Sequence, residues 1–231
     1  HWIVDMMKQG TKIICIDPRL SWFASRAKYW LRIRPGTDSA LAMGFLKVLL
    51  DEGLFDKDFV LKWTNASHLL RTDTNKLLRA DELYSEGSRE DFVAWDMGQD
   101  RPVIWDSSST AFVETPKALM IAGSIQVRLR DAQLVECIPV WEALKRRLAT
   151  YPLEEVERIT GVSAKLIQKA AIFYGKSKPA SIHWGVPIEM TPNITPLCQA
   201  ISTMWAITGN LDVPGGNVIA KFAYDVQSYA L

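Results

Sequence analysis

Asp17 closes a short apolar run, Lys12 to Ile16, and is followed at once by Pro18 and Arg19. A carboxylate at a strand end accepts from vicinal hydroxyls, which is how nucleotide-binding α/β folds hold a ribose. Pro18 fixes the chain direction just behind it. The plain alternative is an aspartate that shapes a loop turn or pairs with Arg19. A second apolar run, Trp30 to Ile33, stops at Arg34-Pro35-Gly36-Thr37-Asp38. Arg19 and Arg34 have the planar fork that suits phosphate, although solvated arginines are commoner. Gly36, Thr37 and Asp38 stand where a helix begins, and backbone N–H groups there attract anions. Asp38 would serve equally as a helix cap or as an acceptor for paired donors on a guanine edge. Ser21 is a small donor in the same stretch and a candidate cap for a short helix over Trp22 to Ala27. Ligands of open α/β sheets bind outside the carboxyl ends of strands. Lys12 to Asp38 is therefore expected to form one wall of a nucleotide-type site.

The elements that must hold this wall follow from hydrophobic spacing. Trp2 to Gln9 has helical spacing and Gly10 suits the position just past a helix end. After Thr37-Asp38-Ser39, Leu41, Phe45, Val48 and Leu49 share one helix face, and Asp56 opens another helix with Phe59, Val60 and Trp63 inward. This helix–strand–helix–strand–helix order predicts an α/β layer. From about 65 to 136 the texture changes to short alternating runs, Phe92 to Trp95, Val103 to Trp105 and Ile125 to Leu129, with Met97-Gly98-Gln99-Asp100 as a hairpin turn. A small β-rich excursion is expected there. Helices return after Pro139. Gly161 ends one, Ser163 caps the next over Ala164 to Tyr174, and Asn193 caps a long one over Ile194 to Thr208. Ala180 to Val186 is predicted to be a buried strand, and Pro214-Gly215-Gly216-Asn217 a tight turn. The expected organisation is a dinucleotide-binding-like α/β domain over 1–178, interrupted by the excursion. A strand and helix over 179–231 would belong to an adjoining α/β domain.

Several function classes are excluded or unsupported. The 231 residues are 48% hydrophobic and 23% charged with a net charge of +1, so no basic footprint marks a nucleic-acid partner. No apolar run approaches the roughly 20 residues of a membrane span, so no membrane contact is expected from this segment. The start, His1-Trp2-Ile3-Val4, has neither methionine nor the pattern of a signal peptide, which suggests a piece of a longer protein. No compartment is indicated. Cys15, Cys137 and Cys198 lack the spacing of a zinc or iron–sulfur site and are expected to behave as small apolar residues. There is neither GxGxxG nor GxxxxGK[ST], which argues against a stand-alone NAD or nucleoside-triphosphate enzyme. His1, His68 and His183 are scattered, and no catalytic triad or paired-carboxylate site can be assembled. His183, in SIHWG, would face a ligand crevice at a strand end, or be an ordinary buried histidine.

Four ordered motifs resemble one family. IDPRLSWFASRAKYWLRIRPGTDSALAMGFLKVLLDEGLFDKDFV is similar to the molybdopterin oxidoreductases of the dimethyl sulfoxide reductase and formate dehydrogenase type, with their IDPR strand end, RPGTD helix start and EGLxDxxFV segment. EALKRRLATYPLEEVERITGVSAKLIQKAA resembles the family's YxxExxxxxTGV region, and ITGNLDVPGGNV its LTGNxGxPGG turn. The resemblance implies a three-layer Rossmann-like fold. It also implies bis(molybdopterin guanine dinucleotide) carrying molybdenum or tungsten. Asp17 and Asp38 then correspond to guanosine contacts, with Arg19, Ser21, Arg34, Gly36 and Thr37 in the same loops. Gly185 opens the segment that lies near the pterin in such proteins. The family pattern there is closer to GxxxQHxxG, and this chain has no Gln-His pair.

The resemblance further implies parts beyond this sequence: an iron–sulfur (4Fe-4S) cluster and a metal-ligating residue upstream, and a domain closing over the pterins downstream. An electron-transfer iron–sulfur subunit is an implied partner. The expected function is the cofactor-binding part of a molybdenum or tungsten oxidoreductase, inactive by itself. The alternatives are a non-catalytic nucleotide-binding or scaffold module of the same fold, or an α/β domain whose loops make only protein contacts.

Overall fold

The computed structural model describes residues 2–191 and 193–219. In chain order its elements are α1 (Trp2–Lys8), β1 (Ile14–Ile16), β2 (Tyr29–Leu31), α2 (Asp38–Asp51), α3 (Lys57–Trp63), β3 (Leu69–Arg71), β4 (Phe92–Asp96), β5 (Arg101–Asp106), β6 (Ala111–Phe112), β7 (Ile125–Arg128), β8 (Leu134–Pro139), α4 (Val140–Ala149), α5 (Leu153–Thr160), α6 (Ala164–Lys176), α7 (Val186–Glu189) and α8 (Ile194–Ile207). The chain is of mixed α/β class, as the pattern of elements predicts. It divides into two compact units, one from 1–56 with 151–231, the other from 57–150.

In the first unit β1 and β2 pair in parallel, with Ile14 opposite Tyr29, Cys15 opposite Trp30 and Ile16 opposite Leu31. Parallel strands need a crossover of about a dozen residues. Here it contains one turn of 3-10 helix, Ala24–Arg26, shorter than the helix expected over Trp22 to Ala27. Because the pairing is parallel, both strands release their carboxyl ends at the same edge.

Helix α2 carries the unit's core. Leu41, Phe45, Leu46, Val48 and Leu49 are buried along it, and α5, α6 and α8 pack against it. Burial of a leucine-sized side chain contributes roughly 1.5–3 kcal/mol, so this one face anchors three helices. Two glycines let the backbones approach. A Cβ at Gly175 of α6 would lie 2.6 Å from Leu49 Cδ2 and 2.9 Å from Leu54 Cβ, and one at Gly44 would lie 3.1 Å from Val156 Cγ1. Helix α8 packs on α2 in this same unit, and the Asp56 N–H donates to the Ile207 carbonyl at 2.7 Å.

The expected strand from Ala180 to Val186 does not form. Residues 180–185 are irregular, and Val186 begins the short helix α7. The cause is local. Asparagine side chains occupy the backbone groups that a ladder would use, and Pro187 suits a first helical turn, where its missing N–H costs nothing. The part of the predicted 179–231 segment beyond 219 lies outside the described residues.

The second unit is the β-rich excursion, extended to 57–150. One antiparallel sheet has the order β3-β8-β7, the other β4-β5-β6. Isolated bridges from His68 to Ala94 and Arg79 to Phe92 join them. Leu69, Leu78, Val93, Val127, Leu129, Val135 and Cys137 form its core. The unit outgrows 65–136 because α4 packs on β8 and β3. The 97–100 hairpin forms as expected, with Asp96 opposite Arg101. Asp96 is fully buried, and its carboxylate accepts from the N–H groups of Gly98 (2.8 Å), Lys117 (2.8 Å) and Ala118 (2.9 Å). Burial opposes the charge, but those main-chain donors outweigh it and hold the carboxyl below its usual range.

Candidate functional site

The two strand ends bring the Asp17 and Arg34–Asp38 loops to one edge of the parallel pair. Asp17 N–H donates to the Leu31 carbonyl at 3.2 Å, one step beyond the ladder. Its own carbonyl accepts from the Trp30 indole N–H at 2.8 Å. The Asp17 backbone is thus fixed by β2. Of its carboxylate, Oδ1 accepts the Arg19 N–H at 2.8 Å, closing a tight turn over Pro18. Oδ2 has no partner among the described residues. This is the loop-turn role and the open-acceptor role in one side chain.

Ser21 is not the cap residue expected of it: the 3-10 turn begins at Ala24, with Phe23 at the cap position. The Ser21 Oγ accepts from the Ala24 N–H at 3.3 Å, at the start of the 3-10 turn. Thr37 is the residue before α2, and it does not cap the helix with its side chain. Its Oγ1 donates instead to the Arg34 carbonyl at 2.6 Å. Asp38 is therefore the first residue of α2 rather than its cap. Its carboxylate has no protein partner among the described residues and sits at the positive end of the helix dipole. Gly36 between them has φ +79°, a left-handed conformation that favours glycine, and nothing lies within 4 Å of where a Cβ would project.

Arg34 has a structural task that its sequence context did not signal. Its Nη1 donates to the carbonyls of Arg158 (3.1 Å) and Ile159, and its N–H donates to the Thr160 carbonyl at 2.8 Å. A cation on the last carbonyls of a helix caps α5 and complements its dipole. That guanidinium is already engaged, whereas Arg19 is exposed and its guanidinium has no protein partner among the described residues. Arg32, which the sequence reading passed over, is likewise exposed and unpartnered. The signal for it was present: Leu31 and Ile33 are buried while Arg32 and Arg34 are exposed, the alternation of a half-buried strand.

Gly185 stands apart from this edge. It is exposed and precedes α7, and among the described residues no hydrogen bond joins it to the strand-end loops. His183 is exposed rather than buried, because the strand expected around it is absent. Among the described residues there is no group of three or more His, Cys, Asp or Glu that could hold a metal ion, and no helix is long and apolar enough to cross a membrane.

The donor set at the strand edge suits the nucleotide end of a ligand. It offers open carboxylate oxygens on Asp17 and Asp38, unpaired guanidiniums on Arg19 and Arg32, and an unobstructed glycine at a helix start. Carboxylates accept from hydroxyls and base N–H groups, and guanidiniums donate to phosphates.

Comparison with known proteins identifies the family. A family model described as molybdopterin oxidoreductase matches residues 2–226, and the chain belongs to that family. It is 30% identical over 242 residues to the perchlorate reductase subunit alpha of Dechloromonas aromatica, covering 94% of this chain and 26% of that protein. It is 26% identical over 310 residues to the dopamine dehydroxylase of Eggerthella lenta, covering 98% of this chain and 30% of the relative. Among solved structures, acetylene hydratase from Pelobacter acetylenicus superimposes with a TM-score of 0.54 at 26% identity, over 90% of this chain and 18% of that one. This chain thus spans less than a third of the length of these relatives.

Proposed function

We propose that this chain is the part of a molybdenum or tungsten oxidoreductase that holds the guanosine end of a bis(molybdopterin guanine dinucleotide) cofactor. The observation that carries this reading is the parallel strand edge, where Asp17 and Asp38 keep carboxylate oxygens free of protein partners. Asp17 suits the ribose hydroxyls or base donors, and Asp38 the paired donors of a guanine edge. Arg19 and Arg32 suit the pyrophosphate. Arg34, Thr37 and Ser21 hold the loops in shape through the bonds described above, and Gly36 leaves room for close approach. Gly185 is assigned to the pterin side of the same cofactor. When bound, the metal end of the cofactor supplies the redox chemistry. The residues of this chain bind and orient it, and none of them is assigned a proton or an electron.

Further domains of a longer polypeptide complete the site in this proposal, including a segment that meets residues 179–231, a 4Fe-4S cluster and the metal-ligating residue. An iron–sulfur electron-transfer subunit is the proposed partner. The test is to purify the full-length protein and measure molybdenum, tungsten and guanine nucleotide released by acid, for wild type and for Asp38→Ala. The expected result is metal and nucleotide in the wild type, and a clear loss of both in the variant with its fold retained. A parent protein that carries neither would sink the proposal, as would a variant that retains its full content.

A further inference from the structure

The run Ala180 to Gly185 forms no strand, and among the described residues it pairs with none. Its backbone is held by the amide side chains of two asparagines in the loop that follows α8. Asn217 makes a two-pronged contact: Oδ1 accepts the Ile182 N–H at 2.8 Å, and Nδ2 donates to the Ile182 carbonyl at 2.8 Å. These are the two bonds that a neighbouring antiparallel strand would supply to one residue. Asn210 Oδ1 accepts the Ala180 N–H at 3.0 Å.

The asparagines are themselves fixed. Asn210 is 1% exposed, and its Nδ2 donates to Thr208 Oγ1 at 2.9 Å. Thr208 in turn bonds the Met204 carbonyl and lies 3.3 Å from the Tyr174 hydroxyl. Asn217 is tied by its main chain to Asn210 (2.8 Å) and Asp212 (2.8 Å). The glycines between them allow the contact. A Cβ at Gly216 would lie 2.3 Å from the Asn210 carbonyl oxygen, and one at Gly215 2.6 Å from Pro179 Cγ. Two residues beyond the clamp, Trp184 stacks on Trp205 with ring centroids 5.5 Å apart, and its indole N–H donates to Glu189 at 3.0 Å. The segment is therefore gripped at 180, 182 and 184 and released, exposed, at Gly185.

We infer that Asn217, supported by Asn210, is a positioning residue: its side chain supplies the two backbone bonds that a neighbouring strand would, and sets where Gly185 enters the site. This rests on the reading that Gly185 faces the cofactor. Asn217 touches no ligand in this scheme and acts through Ile182.

The experiment uses the full-length protein with Asn217→Ala and Asn217→Asp. The aspartate keeps the shape and the acceptor but loses the donor to the Ile182 carbonyl. Hydrogen exchange and the guanine nucleotide released by acid are both measured. Expected in Asn217→Ala is exchange about tenfold faster in peptides covering 180–185, with α2 and α8 peptides unchanged, because one clamp and not the core has been lost. Nucleotide content falls severalfold, and Asn217→Asp lies between it and wild type. Unchanged exchange at 180–185 overturns the clamp. Faster exchange with full nucleotide content overturns the positioning role, as does loss of protection throughout α2 and α8 in both variants. Failure of the underlying cofactor reading is separately visible, since the wild-type protein would then release no nucleotide.

Discussion

At the scale of single residues, the parallel strand edge separates side chains bonded to the protein from side chains with no protein partner among the described residues. Asp38 has no protein partner among the described residues, so Asp38→Ala should cost the fold only the helix-dipole contribution, about 0.3–1 kcal/mol. Loss of a charge-assisted acceptor to a bound ligand is worth about 1.5–3 kcal/mol, so nucleotide occupancy should fall far more than urea stability. Arg34→Ala should do the reverse, lowering stability by about 1 kcal/mol through the lost cap of α5, readable by urea titration. His68 supplies a pH test. It is 7% exposed, its Nδ1 has no partner, and it stacks on Phe92 at 4.9 Å. Burial first, then the charge of Arg79, lowers its pKa to about 4. An unfolded chain binds the proton near pH 6.5 and the folded one only near 4. The stability held at neutral pH is therefore lost as pH falls through that window, by at most about 3 kcal/mol. Replacement by phenylalanine should flatten the stability–pH curve between those values, and an unchanged slope would refute the assignment. The turn made by Asp17 over Pro18 was legible from residue type and position alone. The tasks of Arg34 and Thr37 were not, because their partners, the carbonyls of α5 and of residue 34 itself, depend on tertiary placement or exact loop geometry.

At the scale of elements, α2 was the most legible feature, since Leu41, Phe45, Val48 and Leu49 recur at helical spacing and all are buried. What spacing could not reveal is how closely its neighbours pack. Gly175→Ala gains about 1 kcal/mol of helix propensity, but the new Cβ meets Leu49 and Leu54 below 3.0 Å. Overpacking costs about 1–3 kcal/mol, so a net loss is expected in a thermal melt. Leu49→Ala, at a fully buried position, should cost about 2–5 kcal/mol. The missing strand at 180–186 is the instructive error. Its apolar, β-branched texture is that of a buried strand, and short apolar runs are ambiguous by pattern alone. The decision lay in Asn210 and Asn217, thirty residues away in sequence and next to the helix end at Gly209, where they looked like ordinary turn residues.

At the scale of the molecule, the chain divides into two compact units, 1–56 with 151–231 and 57–150. The composition change near 65 marked the β-rich region, but α3 and α4 carry ordinary helical patterns and gave no sign of belonging to it. Residues 57–150 have their own core and are continuous in sequence. Expressed alone, this stretch should unfold cooperatively in denaturant, and a non-cooperative trace would show that its core is insufficient. The other unit is discontinuous, and this bears on synthesis. A ribosome delivers α2 with its apolar face uncovered, then the whole of 57–150, and only afterwards α5, α6 and α8 that cover that face. The strand pair β1–β2 and the loops with Asp17 and Asp38 are thus made before α5, α6 and α8, the helices of the same unit. During that interval the nascent chain carries Leu41, Phe45 and Leu49 without the helices that cover them, and the contacts of Arg34 with the end of α5 form only after α5 has been made.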